Sequence, residues 1–294
     1  MHIPEYSYPL YRPPSEAKSL IFQITEGCSY NKCTFCGMYV DKKFRIKPFE
    51  EFKYEVDGIP EYTKKHIKRI FLADGDAVIY PSEGLLKILD YLQEKFPNLE
   101  SIRSYAGPQA LLEKSFYDWR AIFSRKLDML YFGLESGNNE VLKIMNKGMD
   151  ADEVKEKIRG LQKIGFDFSV MVILGAGGVK YTSNHAVDSA RWISEVNPKY
   201  LSLLTLFLRR GKNYFQYIDT PRFRHLIDEA AEFIENIRGE GIIFRSNHVS
   251  NLFSLKGTLD RDKDRLLEYL SNVRSHCAGK GILESYPDFY QENI

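Results

Sequence analysis

Three cysteines fall within nine residues of one another, Cys28, Cys33 and Cys36, in the segment Gln23-Ile24-Thr25-Glu26-Gly27-Cys28-Ser29-Tyr30-Asn31-Lys32-Cys33-Thr34-Phe35-Cys36. The spacing is C-x4-C-x2-C. Three thiolates on one compact loop can each ligate a separate iron of a 4Fe-4S cube. Three protein ligands leave the fourth iron open, which a catalytic centre needs and a structural one avoids. Cys28 and Cys33 cannot make the C-x2-C knuckle of a zinc finger, and no second Cys or His pair follows at finger spacing. The fourth thiol, Cys277, is isolated. A disulfide framework is therefore excluded, as is a second all-cysteine cluster within this chain, and clustered thiols point to a reducing, cytoplasmic setting.

The elements that must hold this loop alternate regularly. Apolar or β-branched runs predict strands near Leu20–Thr25, Arg69–Leu72, Ser101–Tyr105, Met129–Phe132, Asp167–Leu174, Tyr200–Leu204 and Gly241–Phe244. Helical patterns lie between them, at Phe49–Tyr54, Ser82–Lys95, Ser115–Arg125, Asn139–Met145 with Asp152–Ile164, Asn184–Val196 and Pro221–Arg238. This succession matches βα units that build parallel sheet, so the fold class is α/β. Val170-Met171-Val172-Ile173-Leu174 is apolar throughout, as expected for a strand covered on both faces. The organisation expected is a lead-in over 1–15, a core over 16–210 and a C-terminal extension over 211–294 that covers the barrel opening.

Active sites of parallel β/α barrels gather where the strands end. The cysteine loop follows the first strand, and the second exits into Ala73-Asp74-Gly75-Asp76. Those acids are either ligand acceptors or an ordinary acidic turn. The third strand ends at Ser104-Tyr105-Ala106 and the fourth at Gly133-Leu134-Glu135-Ser136-Gly137, with Asn138 or Asn139 as a helix cap. A buried Glu135 needs a partner, either a ligand or a structural hydrogen bond. The fifth strand ends at Gly175-Ala176-Gly177-Gly178, which lacks the spacing of a nucleotide loop. The sixth leads to Thr205 and then Arg209-Arg210, cations for an anion or for the surface. Beyond the last strand, Asn247, His248, Ser250 and Asn251 crowd one segment, fit either to bind substrate or to cap the barrel.

At these residues the chain resembles the radical SAM superfamily. In that family a three-cysteine loop follows the first strand of a partial TIM-like barrel, with an aromatic residue, here Phe35, before the last cysteine. The usual spacing is C-x3-C-x2-C, so this loop is one residue longer. Gly133–Gly137 followed by Val141–Gly148 looks like the module shared by Elongator-type, methylthiotransferase and coproporphyrinogen-oxidase-like members. Tyr11–Ala17, the Phe71–Asp76 strand exit, Phe244–Asn251 and Lys256–Leu259 resemble an uncharacterised subgroup. The resemblance implies a partial (β/α)6 TIM-like barrel of parallel strands with a C-terminal extension. It implies a 4Fe-4S cluster on Cys28, Cys33 and Cys36 and S-adenosyl-L-methionine (SAM) as cofactor. Phe35, Asp74, Gly75, Asp76, Ser104, Glu135, Gly175 and Arg209 become candidate cofactor contacts. Among them, Asp74 and Asp76 would accept from the SAM amino group, Glu135 would face nucleoside or substrate, and Gly175 would admit the adenine. Glu135 and His248 are the catalytic candidates, and Asn247, His248, Ser250 and Asn251 the substrate candidates. A flavodoxin or ferredoxin would supply one electron, and the 5′-deoxyadenosyl radical released from SAM would abstract hydrogen from substrate, chemistry that is oxygen-sensitive.

Bulk properties narrow the substrate only loosely. Net charge is +1, which gives no global case for nucleic acid or an anionic membrane. The basic runs Lys42–Lys47 and Lys64–Arg69 are expected to be solvated faces. The first residues lack the charged and apolar regions of a secretory signal, and the apolar stretches are only strand-sized. The favoured reading is an enzyme acting on an unidentified small molecule. Modification of RNA or peptide is the alternative, with a non-catalytic carrier of haem or another ligand behind it. Methylthiolation is disfavoured, because its enzymes carry three further cysteines for a second cluster.

Overall fold

The computed structural model describes residues 6–208, 212–248 and 251–287. Ten strands are present among them: β1 (Leu20–Gln23), β2 (Thr25–Glu26), β3 (Arg45–Ile46), β4 (Arg69–Ala73), β5 (Ser101–Ala106), β6 (Leu127–Glu135), β7 (Asp167–Leu174), β8 (Tyr200–Thr205), β9 (Ile243–Ser246) and β10 (Leu255–Thr258). The helices are α1 (Phe49–Asp57), α2 (Glu61–Lys64), α3 (Ser82–Lys95), α4 (Pro108–Glu113), α5 (Phe116–Phe123), α6 (Asn139–Ile144), α7 (Ala151–Ile164), α8 (Thr182–Val196), α9 (Phe223–Asn236) and α10 (Lys263–Gly279). Eight strands form one sheet in the order β1-β4-β5-β6-β7-β8-β9-β10, and β2 pairs with β3 separately. Pairing is parallel for β1–β4, β4–β5, β5–β6, β7–β8 and β8–β9, while β10 returns antiparallel on β9. Among the described residues the sheet has β1 and β10 as its edges, so this α/β parallel architecture does not close into a full barrel there.

The chain divides into two compact units, and β6 runs from one into the other. The first holds the described residues up to Asn31, then Tyr39–Phe132 and Glu156–Phe168. Its strands bury Phe22, Ile70, Phe71, Leu72 and Phe132 completely. The matching helix faces supply Phe52, Leu85, Leu89 and Trp119, each at i/i+3/i+4 spacing or at a capped start. Ser115 begins α5 with a capping box to Asp118. In β1 and β4, Gln23 stands opposite Ala73, so the cysteine loop and the Asp74–Asp76 turn leave the sheet side by side.

The second unit holds Lys32–Met38, Gly133–Lys155 and the described residues from Ser169 onward. Val170, Val172, Leu201, Leu203 and Phe244 form its buried strand surface. On α9, Leu226, Ala230, Phe233 and Ile234 make the apolar stripe, and α9 packs against both α8 and α10. Asn138 caps α6 by accepting from Glu140 and Val141 N–H groups, as its sequence position predicts. The expected core boundary at 210/211 lies outside the described residues.

Two parts of the sequence behave differently from expectation. Lys42, Lys47 and Lys64 are buried rather than solvated, Lys42 and Lys47 on the buried acids Asp74 and Glu55 and Lys64 paired with an exposed Glu61. The four-residue β10 and the 17-residue α10 gave no usable sequence pattern. Gly257 weakens the strand propensity of β10, and only Leu266, Leu270 and Cys277 of α10 are buried.

Candidate active site

In the first unit, Cys28 is half-buried and in no disulfide, and the Asn31 N–H points at its sulfur from 3.4 Å. The Asn31 carboxamide donates in turn to the Tyr39 carbonyl at 2.9 Å. Gly27 begins the loop with φ +76, which glycine adopts without strain. Gly75 must also be glycine: a Cβ there would sit 2.8 Å from the Tyr39 ring and 3.4 Å from the Cys28 Cβ.

The two acids of the β4 exit have unlike surroundings. Asp74 is fully buried, and Oδ2 accepts from the Gly27 N–H at 2.9 Å and from the Lys42 ammonium at 2.6 Å. Its Oδ1 accepts from Gln23 Nε2 at 3.0 Å. Three protein donors thus occupy Asp74. Asp76 takes one donor per oxygen, the Ser29 hydroxyl at 2.8 Å and the Gly107 N–H at 2.8 Å. Burial pushes its carboxyl up to about 6, against the opposing pull of Gly107 and Ser29. It remains ionised at neutral pH, with acceptor capacity left on each oxygen. Ser104 turns its hydroxyl to the Leu72 and Tyr105 carbonyls, at 3.2 and 2.8 Å.

In the second unit, Cys33 and Cys36 are half-buried beside an apolar cluster of Phe35, Val141, Met145, Ile173, Ala176, Leu206 and Tyr214. Phe35 packs edge-on against Tyr214, with ring centroids 6.5 Å apart. Thr34 fixes this stretch to the end of α6, its N–H on the Met145 carbonyl at 3.0 Å and its hydroxyl on Ile144 at 2.9 Å. Glu135 (φ +62) binds the Lys147 ammonium at 2.7 Å. Burial disfavours that ammonium, but Glu135 and the nearby Cys33 and Cys36 hold its pKa above the ordinary lysine value. Lys147 is a charged group beside two cysteines that motif reading did not single out; its place in the Val141–Gly148 segment was the available signal.

The glycine turn after β7 is held by a distant acid. Gly175 (φ +85) donates its N–H to Glu229 Oε1 on α9 at 2.8 Å. Glu229 is wholly buried, which raises its pKa well above the ordinary range, and its Oε2 finds no hydrogen-bond partner among the described residues. His185 joins this group: Nε2 faces the Ile173 carbonyl at 3.0 Å and Nδ1 faces Ser136 Oγ at 2.7 Å. Burial pushes its pKa down to about 4, so the ring is neutral.

Of the remaining candidates, Asn251 is engaged with β8: Oδ1 accepts from Thr205 N–H at 2.7 Å, and Nδ2 donates to the Leu203 carbonyl at 2.8 Å. Asn247 and His248 are exposed. Arg209 and Ser250 lie outside the described residues.

Residues 22–193 match the family described as "Radical SAM superfamily". The chain belongs to the radical SAM superfamily. That family is one of enzymes that use a 4Fe-4S cluster and SAM and require an electron donor and a substrate. The fold agrees. Methylornithine synthase covers 86% of this chain and 81% of its own length, with a TM-score of 0.53 and 13% identity. Coproporphyrinogen III oxidase from Escherichia coli covers 73% of this chain and 50% of its own, with a TM-score of 0.53 and 17% identity. The sequence is similar to tRNA-2-methylthio-N(6)-dimethylallyladenosine synthases. One from Coxiella burnetii is 26% identical over 55% of this chain and 37% of its own length. One from Ehrlichia chaffeensis is 27% identical over 61% of this chain and 41% of its own. The matched part is therefore less than half of those relatives. Because they are named for tRNA, near-neutral charge alone does not set nucleic acid aside. No helix among the described residues is long and apolar enough to cross a membrane.

The residues present fit the family's cluster. Among the described residues no three His, Cys, Asp or Glu side chains gather as a site for one metal ion. A cube asks something else, since each thiolate takes a different iron and the three need not converge on a point. The three cysteines are free of disulfides. Beside Cys28, the buried Tyr39 hydroxyl finds no hydrogen-bond partner among the described residues.

Proposed function

We propose that Cys28, Cys33 and Cys36 hold a 4Fe-4S cluster whose open iron takes SAM, and that the chain is a radical enzyme acting on a small molecule. The observation that carries this reading is a family match spanning a loop with three cysteines outside any disulfide. Held by Cys28, Cys33 and Cys36, such a cluster would supply the one electron, taken from the external donor, that splits SAM into methionine and a 5′-deoxyadenosyl radical able to remove hydrogen from substrate.

The chain's own residues bind and orient. Asp76, ionised and with acceptor capacity to spare, receives the SAM amino group. Asp74 holds the loop rather than the ligand, since its oxygens already serve three protein donors. Glu135 accepts from nucleoside or substrate hydroxyls, with Lys147 balancing its charge. The Gly175 turn, held by Glu229, lets backbone approach the adenine without a side chain between. Arg209 pairs with an anionic group. Asn247, His248 and Ser250 serve as substrate contacts, while Asn251 is spent on β8. The protein's contribution is positioning and exclusion of water and oxygen. The electron donor is a flavodoxin or ferredoxin in a cytoplasmic setting.

A second reading, RNA modification, is favoured by the tRNA-named relatives. The four cysteines leave this chain without a second three-cysteine set, which weighs against methylthiolation by this chain alone. Anaerobic reconstitution followed by SAM turnover with fractionated cell extract separates the readings. Stimulation confined to the small-molecule fraction supports the first; stimulation confined to RNA overturns it in favour of the second.

A further inference from the structure

Tyr39 is 4% exposed, yet its hydroxyl has no hydrogen-bond partner among the described residues. A buried phenol without a partner is uncommon, because it gives up its bond to water for nothing. The ring cannot swing away to find one. Tyr11 packs edge-on against it, with centroids 5.5 Å apart, and Gly75 lies directly against its Cε2 edge. The Tyr39 carbonyl is held by the same Asn31 whose N–H faces the Cys28 sulfur. The buried Asp74 already serves Gln23, Gly27 and Lys42. A phenol ordinarily titrates at about 10, so at neutral pH the hydroxyl is a proton donor.

We propose that the Tyr39 hydroxyl donates a hydrogen bond to a sulfur of the bound cluster on its Cys28 side and thereby raises the cluster's reduction potential. The proposal rests on the cluster reading above. Hydrogen bonds to cluster sulfurs are among the levers that set such potentials. One-electron reduction adds a negative charge to the cube, and a donor aimed at its sulfurs stabilises the reduced form more than the oxidised one. Tyr39 therefore eases the electron's arrival before any SAM chemistry begins.

The test is a redox titration of the reconstituted chain without SAM, followed by the electron paramagnetic resonance of the reduced cluster. Tyr39→Phe keeps the ring and removes the donor. Iron and sulfide content stay at the wild-type level, and the ligand-free protein unfolds no sooner than wild type. At a fixed applied potential the reduced-to-oxidised ratio falls by about fivefold, the order of one ordinary hydrogen bond. Replacing Tyr39 by 3-fluorotyrosine, a stronger donor of nearly the same shape, moves the ratio the other way and serves where the Phe variant holds no cluster. Unchanged titrations in both variants overturn the proposal. A shift seen only with SAM present also overturns it, because the hydroxyl then faces SAM. A wild-type chain that takes up no iron overturns the cluster reading itself, which is a separate outcome.

Discussion

Asp74 Oδ2 accepts the Gly27 N–H at 2.9 Å and the Lys42 ammonium at 2.6 Å, so one buried carboxylate closes both ends of the loop that carries all three clustered cysteines. Lys42 extends the clasp to the Ser7 and Pro9 carbonyls, at 2.6 and 3.1 Å. Removing one member of a buried ion pair strands the other, at a cost of about 3–5 kcal/mol. Asp74→Asn and Lys42→Met should each lower the stability of the cluster-free protein by that order in chemical denaturation. Both should also lose iron on gel filtration after reconstitution. The double variant should recover part of the stability, since no lone charge remains.

Asp76 should behave differently from Asp74. Asp76→Asn keeps one acceptor oxygen for Gly107 or Ser29 and removes the charge that would meet the SAM amino group. The expected result is wild-type iron content with SAM binding weaker by about tenfold or more, the scale of a charge-assisted hydrogen bond. Equilibrium dialysis with labelled SAM measures it. Equal loss of iron in both variants would show that Asp76 also serves only the loop.

Much of this was legible because it is local. Cys28, Cys33 and Cys36 declare themselves by spacing, and the strand exits at Asp74, Glu135 and Gly175 follow from apolar runs that end in turns. Partnerships between distant residues were not legible. Nothing near Lys42 tells that Asp74, 32 residues on, will bury it, so a solvated run was expected where a clasp formed. Glu229 reaches Gly175 across 54 residues, and Asn251 reaches Leu203 across 48. The contrast between Asp74 and Asp76 had the same origin: two acids of one turn differ only in which donors the fold brings to them.

His185 should give the fold an acid-sensitive edge. Its folded pKa, about 4, lies below the free value of 6.5, so the unfolded chain binds the proton more readily between those values. The stability from the neutral ring is complete above pH 6.5 and disappears as pH falls through 4, about 3 kcal/mol in all. Asp76 and Glu229 have raised pKa values and act in the opposite sense, so the comparison must be between variants. Denaturation of wild type and His185→Gln from pH 4 to 7 should show wild type losing more stability on acidification. Parallel curves would contradict the assignment.

Asn251 mimics a backbone neighbour for β8 with its carboxamide. Asn251→Ala leaves the Thr205 N–H and Leu203 carbonyl without that partner, which should cost about 1–3 kcal/mol. Thermal unfolding of the cluster-free protein should register the loss. An unchanged midpoint would return Asn251 to the substrate-facing group.

The most direct test of the central claim is 5′-deoxyadenosine formation by oxygen-free, reconstituted protein supplied with dithionite and SAM. The account predicts 5′-deoxyadenosine and methionine in equal amounts from wild type and neither from Cys33→Ala, which should also lack the cluster. A wild-type protein that carries its iron cube yet forms no 5′-deoxyadenosine, or that purifies with a single zinc ion, would contradict it.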